Sequence, residues 1–245
     1  MIWKKADGVP WLEADLAGEA TVAFSTRLGG VSEGPFSSLN LGILTDDDPE
    51  AVIRNRHRLA QALGLDAGKV VMGRQVHGSG LAWNEGEGPN HFERPREEPP
   101  AEADGQLTST RGLPLLVLVA DCLPVALLGD RGLAMLHCGW RGLAGGIIEA
   151  AAERIGARAA AIGPGIGPCC FEVGAEVEEA FTHLGPGLSR GRYLDLTEVA
   201  RRKLAALGVT RPEFAGVCTR CDDRFFSHRG DSGNTGRQCG IAWLN

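Results

Sequence analysis

The chain has no excess of positive charge: its 31 acidic residues outnumber 25 basic ones, for a net charge of −6. Scattered Lys and Arg on an acidic background give no electrostatic footprint for nucleic acid or for an anionic membrane. The partner expected is a small molecule. Long apolar runs are also missing. The longest, Leu113 to Ala120, is far too short to span a bilayer, and the first residues, Met1-Ile2-Trp3-Lys4-Lys5, have no signal-peptide core. These absences point to the cytoplasm. Cysteine is too sparse for a stapled scaffold: seven thiols in 245 residues cannot all pair internally and are expected to be reduced. At 43% apolar residues, a chain of this length buries enough surface for one domain, residues 1–245, without disulfides.

Local patterns predict alternating elements. Thr21 to Ser25 reads as a β-branched strand entering a glycine-rich loop, Arg27 to Gly42. Asp48-Pro49 starts a helix, an Asx cap followed by proline in the first turn, and that helix ends near Gly64. Lys69 to Met72 reads as a strand. The Pro-, Glu- and Gly-rich stretch from Asn84 to Asp104 reads as a surface excursion, with Pro99-Pro100 the place for any linker. Leu115–Ala120, Val125–Leu128 and Leu133–Leu136 are three buried strands, followed by a helix over Leu143–Ile155 and a strand at Ala159–Ile162. Ala175–Leu184 and Leu196–Leu207 follow as amphipathic helices, the second with Asp195 and Glu198 at capping-box spacing.

Cys122 and His137 each sit at the end of an apolar segment, so neighbouring strands would bring thiol and imidazole together. The competing reading makes Cys122 a small core filler and His137 a satisfied core histidine. His77, between Val76 and Gly78, supplies a second imidazole. Two imidazoles and a thiolate make an open zinc site with a fourth position for water or substrate. Asp121 joins that site only if its strand stops there. Arg27, Arg141 and Arg237 each lie within a residue or two of glycine and are candidates for bidentate anion binding, phosphate above all. Cys218-Thr219-Arg220-Cys221 resembles a zinc or redox dithiol, to which Cys169-Cys170 could add two thiolates. Against a zinc there, adjacent cysteines in a strand splay to opposite faces. Cys138 and Cys239 read as packing residues and His57 as solvated. Gly163 to Pro168 is a rigid turn, neither P-loop nor dinucleotide fingerprint, and there is no Gly-x-Ser-x-Gly elbow.

Several ordered blocks then resemble a known family, the laccase-domain proteins, first described as multicopper polyphenol oxidases and now usually regarded as purine nucleoside phosphorylases. The blocks are Ser25 to Ser32, Leu39-Asn40-Leu41-Gly42, Gln75-Val76-His77-Gly78, Ala103-Asp104-Gly105, Ala120 to Pro124, His137 to Gly142, Gly163 to Cys170 and Phe225-Phe226-Ser227. The resemblance implies an α/β (α+β) fold of mixed sheets between helical layers, similar to the catalytic domain of cytotoxic necrotizing factors. It implies that His77, Cys122 and His137 hold the metal, and phosphorolysis of adenosine, inosine and methylthioadenosine with adenosine deamination as a second activity. Cys138 stands where the family commonly has alanine, which could place a spare thiol near the metal. His228 and Gly230 replace the more usual tyrosine and second basic residue.

The expected function is a zinc-dependent purine nucleoside phosphorylase, with copper the less favoured metal. His77, Cys122 and His137 are its catalytic and metal-binding residues; Arg27, Asn40, Arg141 and Arg237 bind nucleoside or phosphate. The alternatives are a metal-free cysteine hydrolase or amidase using Cys122 and His137, for example in peptidoglycan-precursor editing, a copper polyphenol oxidase, and a binding module with a structural metal. Six histidines in the whole chain argue against the copper oxidase.

Overall fold

The computed structural model describes residues 1–86, 91–93 and 100–245. It begins with an antiparallel meander, β1 (Ile2–Ala6), β2 (Val9–Leu16) and β3 (Ala20–Ser25), followed by helix α1 (Pro49–Leu63). Asp48 caps α1 by accepting from the Glu50 N–H, and Gly64 ends it in the left-handed region, as the sequence predicts. Lys69–Met72 is not a strand. A short 3-10 turn covers Ala67–Lys69, and Val71 alone bridges to Leu115, so the two valines serve tertiary packing rather than a ladder.

Short strands β4 (Leu81–Trp83) and β5 (Gly105–Thr108) flank the Pro- and Glu-rich stretch, of which residues 87–90 and 94–99, including Pro99, lie outside the described residues. Phe92 shows that the stretch is not wholly superficial: it is buried, with the buried Arg56 donating to its carbonyl and lying 5.2 Å from its ring centroid. Then come β6 (Leu115–Val119), β7 (Leu123–Gly129) and β8 (Gly132–Cys138). The β7–β8 hairpin closes over Asp130-Arg131 between paired Gly129 and Gly132. The expected Leu143–Ile155 helix is two pieces, α2 (Trp140–Ala144) and α3 (Ile147–Ile155), because Gly146 takes a left-handed conformation and resets the axis. β9 (Ala157–Ile162) follows. Ala175–Leu184 is likewise shorter than predicted: α4 covers Ala175–Glu179, and a separate 3-10 turn covers Thr182–Leu184. The chain finishes with β10 (Ser189–Arg190), β11 (Tyr193–Leu194), α5 (Leu196–Ala206), β12 (Glu213–Phe214) and β13 (Gln238–Leu244). Asp195 accepts from the Glu198 N–H, but Glu198 answers Arg201 and Arg202 instead of closing the capping box.

The strands form two main sheets, ordered β1-β2-β3-β13-β6 and β12-β9-β7-β8-β5-β4, the second mixed because β4–β5 and β12–β9 are parallel. Strand alternation sorts the side chains into three cores. Leu115, Val117 and Val119 of β6 meet Ala126, Leu128, Leu133 and Met135 between the sheets. Leu116 and Ile241 turn outward beneath α1 with Leu59 and Ala60. Val125, Leu127, Ala134 and Leu136 face α3 and α5 on the far side. The result is helix, sheet, sheet, helix: mixed sheets between helical layers. Among the described residues no helix is long and apolar enough to cross a membrane.

Candidate metal centre

Period-two alternation places Cys122 and His137 on one face. The β7–β8 register pairs Leu123 with Cys138 and Pro124 with His137. Cys122 and His137 therefore both face the gap between the sheets, at the edge where the hairpin opens. Cys138 faces the opposite way, into the α3 side, and burial pushes its thiol pKa well above the ordinary value. The spare thiol expected near the metal is thus a protonated core residue. His77 comes from the loop before β4. Gln75 ties that loop down by exchanging both side-chain bonds with the Leu118 backbone, at 2.7 and 2.8 Å.

Asp104 joins the two histidines. One carboxylate oxygen accepts from His137 Nδ1 at 2.7 Å and from the His77 N–H at 2.9 Å. The other accepts from the N–H groups of Val76 and Gly78 at 3.1 and 2.9 Å. With a carboxylate on Nδ1, the neutral His137 ring carries its proton there and leaves the lone pair on Nε2, the tautomer a metal needs. Asp104 is the functional residue that reading the sequence did not place in the site. Its only signal was the Ala103-Asp104-Gly105 block, whose glycine is the first residue of β5.

One ligand atom from each of His77, Cys122 and His137 lies within 4.8 Å of the others, and the two rings meet edge-on with centroids 4.8 Å apart. Bonds of about 2.0–2.3 Å to a tetrahedral zinc imply donor separations of roughly 3.3–3.8 Å, within reach of small rotamer changes. Burial opposes ionisation of Cys122, but His137 and His77 outweigh it and bring the thiol pKa down to about 6. Burial likewise opposes a charged His137, but Cys122 and Asp104 raise its pKa to about 9. For Asp104, burial is outweighed by the bonds from His137, Val76 and Gly78, which hold its carboxyl below the usual range. Both shifts favour a thiolate–imidazolium pair in the metal-free site, and the thiolate is the form that binds zinc.

Among the described residues, two of the five non-glycine residues with positive φ lie here, His77 at 59° and Asp121 at 87°, conformations that persist only where the surroundings enforce them. For Asp121 the enforcement is visible. Its strand stops at Val119, and its carboxylate accepts from the hydroxyls of Thr219 and Ser227 and from the Arg229 N–H. The acid is thus consumed by the C-terminal segment and fixes Cys122 from the side. Gly139 keeps the centre open, since a Cβ there would lie 3.1 Å from Cys122 Sγ and 3.5 Å from the His77 ring.

A small cleft over the centre is lined by His77, Cys122, Trp140, Arg141, Ile166, Phe171 and Leu196, among others. Arg141 is exposed and stacks 4.4 Å above the Trp140 ring. Among the described residues its guanidinium has no other side-chain partner. Arg237 is half-buried, its guanidinium turned back on the carbonyls of Thr235 and Gly236, within the electrostatic reach of Cys122 and Asp121. Arg27 is stacked on Phe226 and donates to the Ser37 carbonyl, and does not line the cleft. Asn40 is fully buried. Its amide donates to Thr45 and Asp47 and its oxygen accepts from the N–H groups of Gly42 and Arg237, so all four of its bonds are made within the protein. A larger hollow around Lys69, Met72, Trp83, Gln106 and Arg111 contains none of these residues.

Residues 21–245 match the family model described as multi-copper polyphenol oxidoreductase laccase. The chain is 38% identical to the purine nucleoside phosphorylase PA4543 of Pseudomonas aeruginosa, over 96% of this chain and 98% of that one. It is 39% identical to the purine nucleoside phosphorylase YfiH of Escherichia coli, over 90% and 92% of the two chains. Among solved structures, YfiH of Bacillus licheniformis superposes with a TM-score of 0.86 at 29% identity, covering 99% of both chains. YlmD of Geobacillus stearothermophilus gives 0.84 at 32%, covering 99% of this chain and 98% of that one.

Proposed function

The chain belongs to the multi-copper polyphenol oxidoreductase laccase family, and we propose that it is a zinc-dependent purine nucleoside phosphorylase. The observation that carries the reading is the meeting of His77, Cys122 and His137 beside an uncommitted arginine, Arg141, at the mouth of a cleft with apolar walls. Relatives that share more than a third of its residues along nearly their whole length carry that activity in their names.

In phosphorolysis a phosphate oxygen attacks the anomeric carbon, the glycosidic C–N bond breaks, and its electron pair leaves with the base. The protein must hold the anion in line and steady the charge on the departing purine. Arg141 is the residue we assign to phosphate, because its planar fork is exposed and unclaimed. Arg237 contributes positive potential from behind, and Asn40 supports it by accepting from its backbone N–H rather than by touching substrate. Trp140, Ile166, Phe171 and Leu196 offer the apolar surface for the base. A zinc ion bound to His77, Cys122 and His137 would supply a positive charge and an open coordination position next to these groups. Adenosine, inosine and methylthioadenosine are the substrates we expect, and adenosine deamination is the finer second activity. Copper oxidation is disfavoured, because blue and trinuclear copper centres together require more histidines than the six in the chain.

Base release from inosine, followed with and without phosphate, tests the reading. Release that is indifferent to phosphate excludes phosphorolysis, and ammonia from adenosine tests the deamination. One observation favours a rival: Cys122, His137 and Asp104 are in line as nucleophile, base and orienting carboxylate. A cysteine hydrolase keeps its activity after chelation, whereas the proposed enzyme loses it.

A further inference from the structure

Four of the seven cysteines, in two close pairs with Cys221 lying 52 residues from Cys169 and 51 from Cys170, form a second cluster apart from the centre just described. The Sγ atoms of Cys169, Cys170, Cys218 and Cys221 all lie within 4.8 Å of one another. Cys169 and Cys170 are not in a strand, where they would diverge. They occupy the turn after Pro168, and Cys218-Thr219-Arg220-Cys221 forms a second turn facing it. A bridge between Gly165 and Cys218 holds the two turns together, and Gly167 permits the approach: a Cβ on it would lie 3.1 Å from Cys218 Cβ and 3.4 Å from Cys169 Sγ.

We infer that this cluster is a structural zinc site with four thiolate ligands. Cys221 Sγ lies 3.6 Å from Cys169 Sγ and 3.4 Å from Cys170 Sγ. These separations exceed a disulfide bond of about 2.05 Å. They are close to the edge of a tetrahedron whose zinc–sulfur bonds are about 2.3 Å, roughly 3.8 Å. The Cys-x-x-Cys turn is also shaped to hold an anionic sulfur. The Gly167 N–H donates to Cys218 Sγ at 3.2 Å, and the N–H groups of Arg220 and Cys221 bear on the same atom. Four protein ligands make a closed set, which marks structural rather than catalytic zinc. The site also has something to brace. Ile166 and Phe171, flanking the first turn, line the cleft, and Thr219, inside the second, donates to Asp121 at 2.7 Å. Zinc here would lock one wall of the cleft and the residue preceding Cys122.

The inference does not depend on the proposed phosphorylase activity, and its test reads metal directly. Full-length protein from zinc-supplemented cultures is expected to carry one more zinc per chain, by plasma mass spectrometry, than the Cys169→Ser/Cys221→Ser double variant. Cobalt loaded into a Cys122→Ser variant, in which the first centre has no thiol, is expected to show strong sulfur-to-cobalt charge-transfer bands. That second measurement decides the matter even if the double variant does not fold. Equal zinc in wild type and double variant, absence of those bands, or peptide mapping that finds the four cysteines in disulfides in freshly purified protein would each overturn the site.

Discussion

Replacing Asp104 by asparagine tests how the two histidines are held. The carboxylate accepts four N–H groups: His137 Nδ1 and the backbone of Val76, His77 and Gly78. An amide has one acceptor oxygen, so two of the four donors would face an NH2 group. Each buried donor left without a partner costs about 1–3 kcal/mol. The sum, about 2–6 kcal/mol, lies within the stability of ~5–15 kcal/mol typical of a folded protein. The variant should therefore fold, with a melting temperature lower by roughly 4–24 °C. Loss of the orienting carboxylate should weaken metal binding about 10–100-fold. Zinc affinity from chelator competition and melting by calorimetry give the two numbers. The wild-type advantage also has a defined pH range. The Asp104 pKa is depressed in the fold, so its stabilisation is present above the ordinary carboxylate pKa of about 3.9 and is lost as pH falls through the depressed value. A variant that melts lower but binds zinc as tightly as wild type refutes the orienting role. Unchanged melting refutes the hydrogen-bond argument altogether.

Three further outcomes are expected. In metal-free protein the Cys122 thiolate contributes stability that is lost as pH falls through about 6, and the His137 imidazolium contributes stability lost as pH rises through about 9. Iodoacetamide should accordingly modify Cys122 with a midpoint near 6, and zinc should protect it. Arg141→Ala should raise the KM for phosphate at least tenfold while melting within a degree or two of wild type, whereas Arg27→Ala, removed from the cleft, should leave that KM nearly unchanged; phosphate titrations of both variants separate the roles. Gly142→Ala should cost about 1–3 kcal/mol, because its Cβ would lie 2.7 Å from the Gly78 carbonyl oxygen and push the His77 loop away, so urea unfolding should show a lower midpoint and turnover should fall with it.

Much of this site is legible in the sequence. His77, Cys122 and His137 could be grouped because each closes an apolar segment, and the hairpin register that unites two of them follows from the short Gly129-to-Gly132 turn. Asp104 escaped because nothing local distinguishes a carboxylate that folds back on a loop some 27 residues upstream. The β6 strand looks like a neighbour of β7 by sequence, yet it belongs to the other sheet; apolar runs report burial, not which layer they join. The N-terminal hairpin and β13 carry weak signals for physical reasons. β1 is mostly exposed and lies at a sheet edge, and Gly240 interrupts β13 because a Cβ there would lie 2.4 Å from Met135 Cε. The paired cysteines misled in the other direction, since the argument for their divergence holds in a strand and fails in a turn.

The account depends on one ion held by three side chains with a position left open. Anomalous diffraction at the zinc edge, from a crystal soaked with inosine and phosphate, tests this most directly. The expected map has a peak bonded to His77, Cys122 and His137 at about 2.0–2.3 Å, with no fourth protein ligand and with phosphate against Arg141. A closed fourth protein ligand, or no anomalous peak between these three residues in active protein, would contradict it.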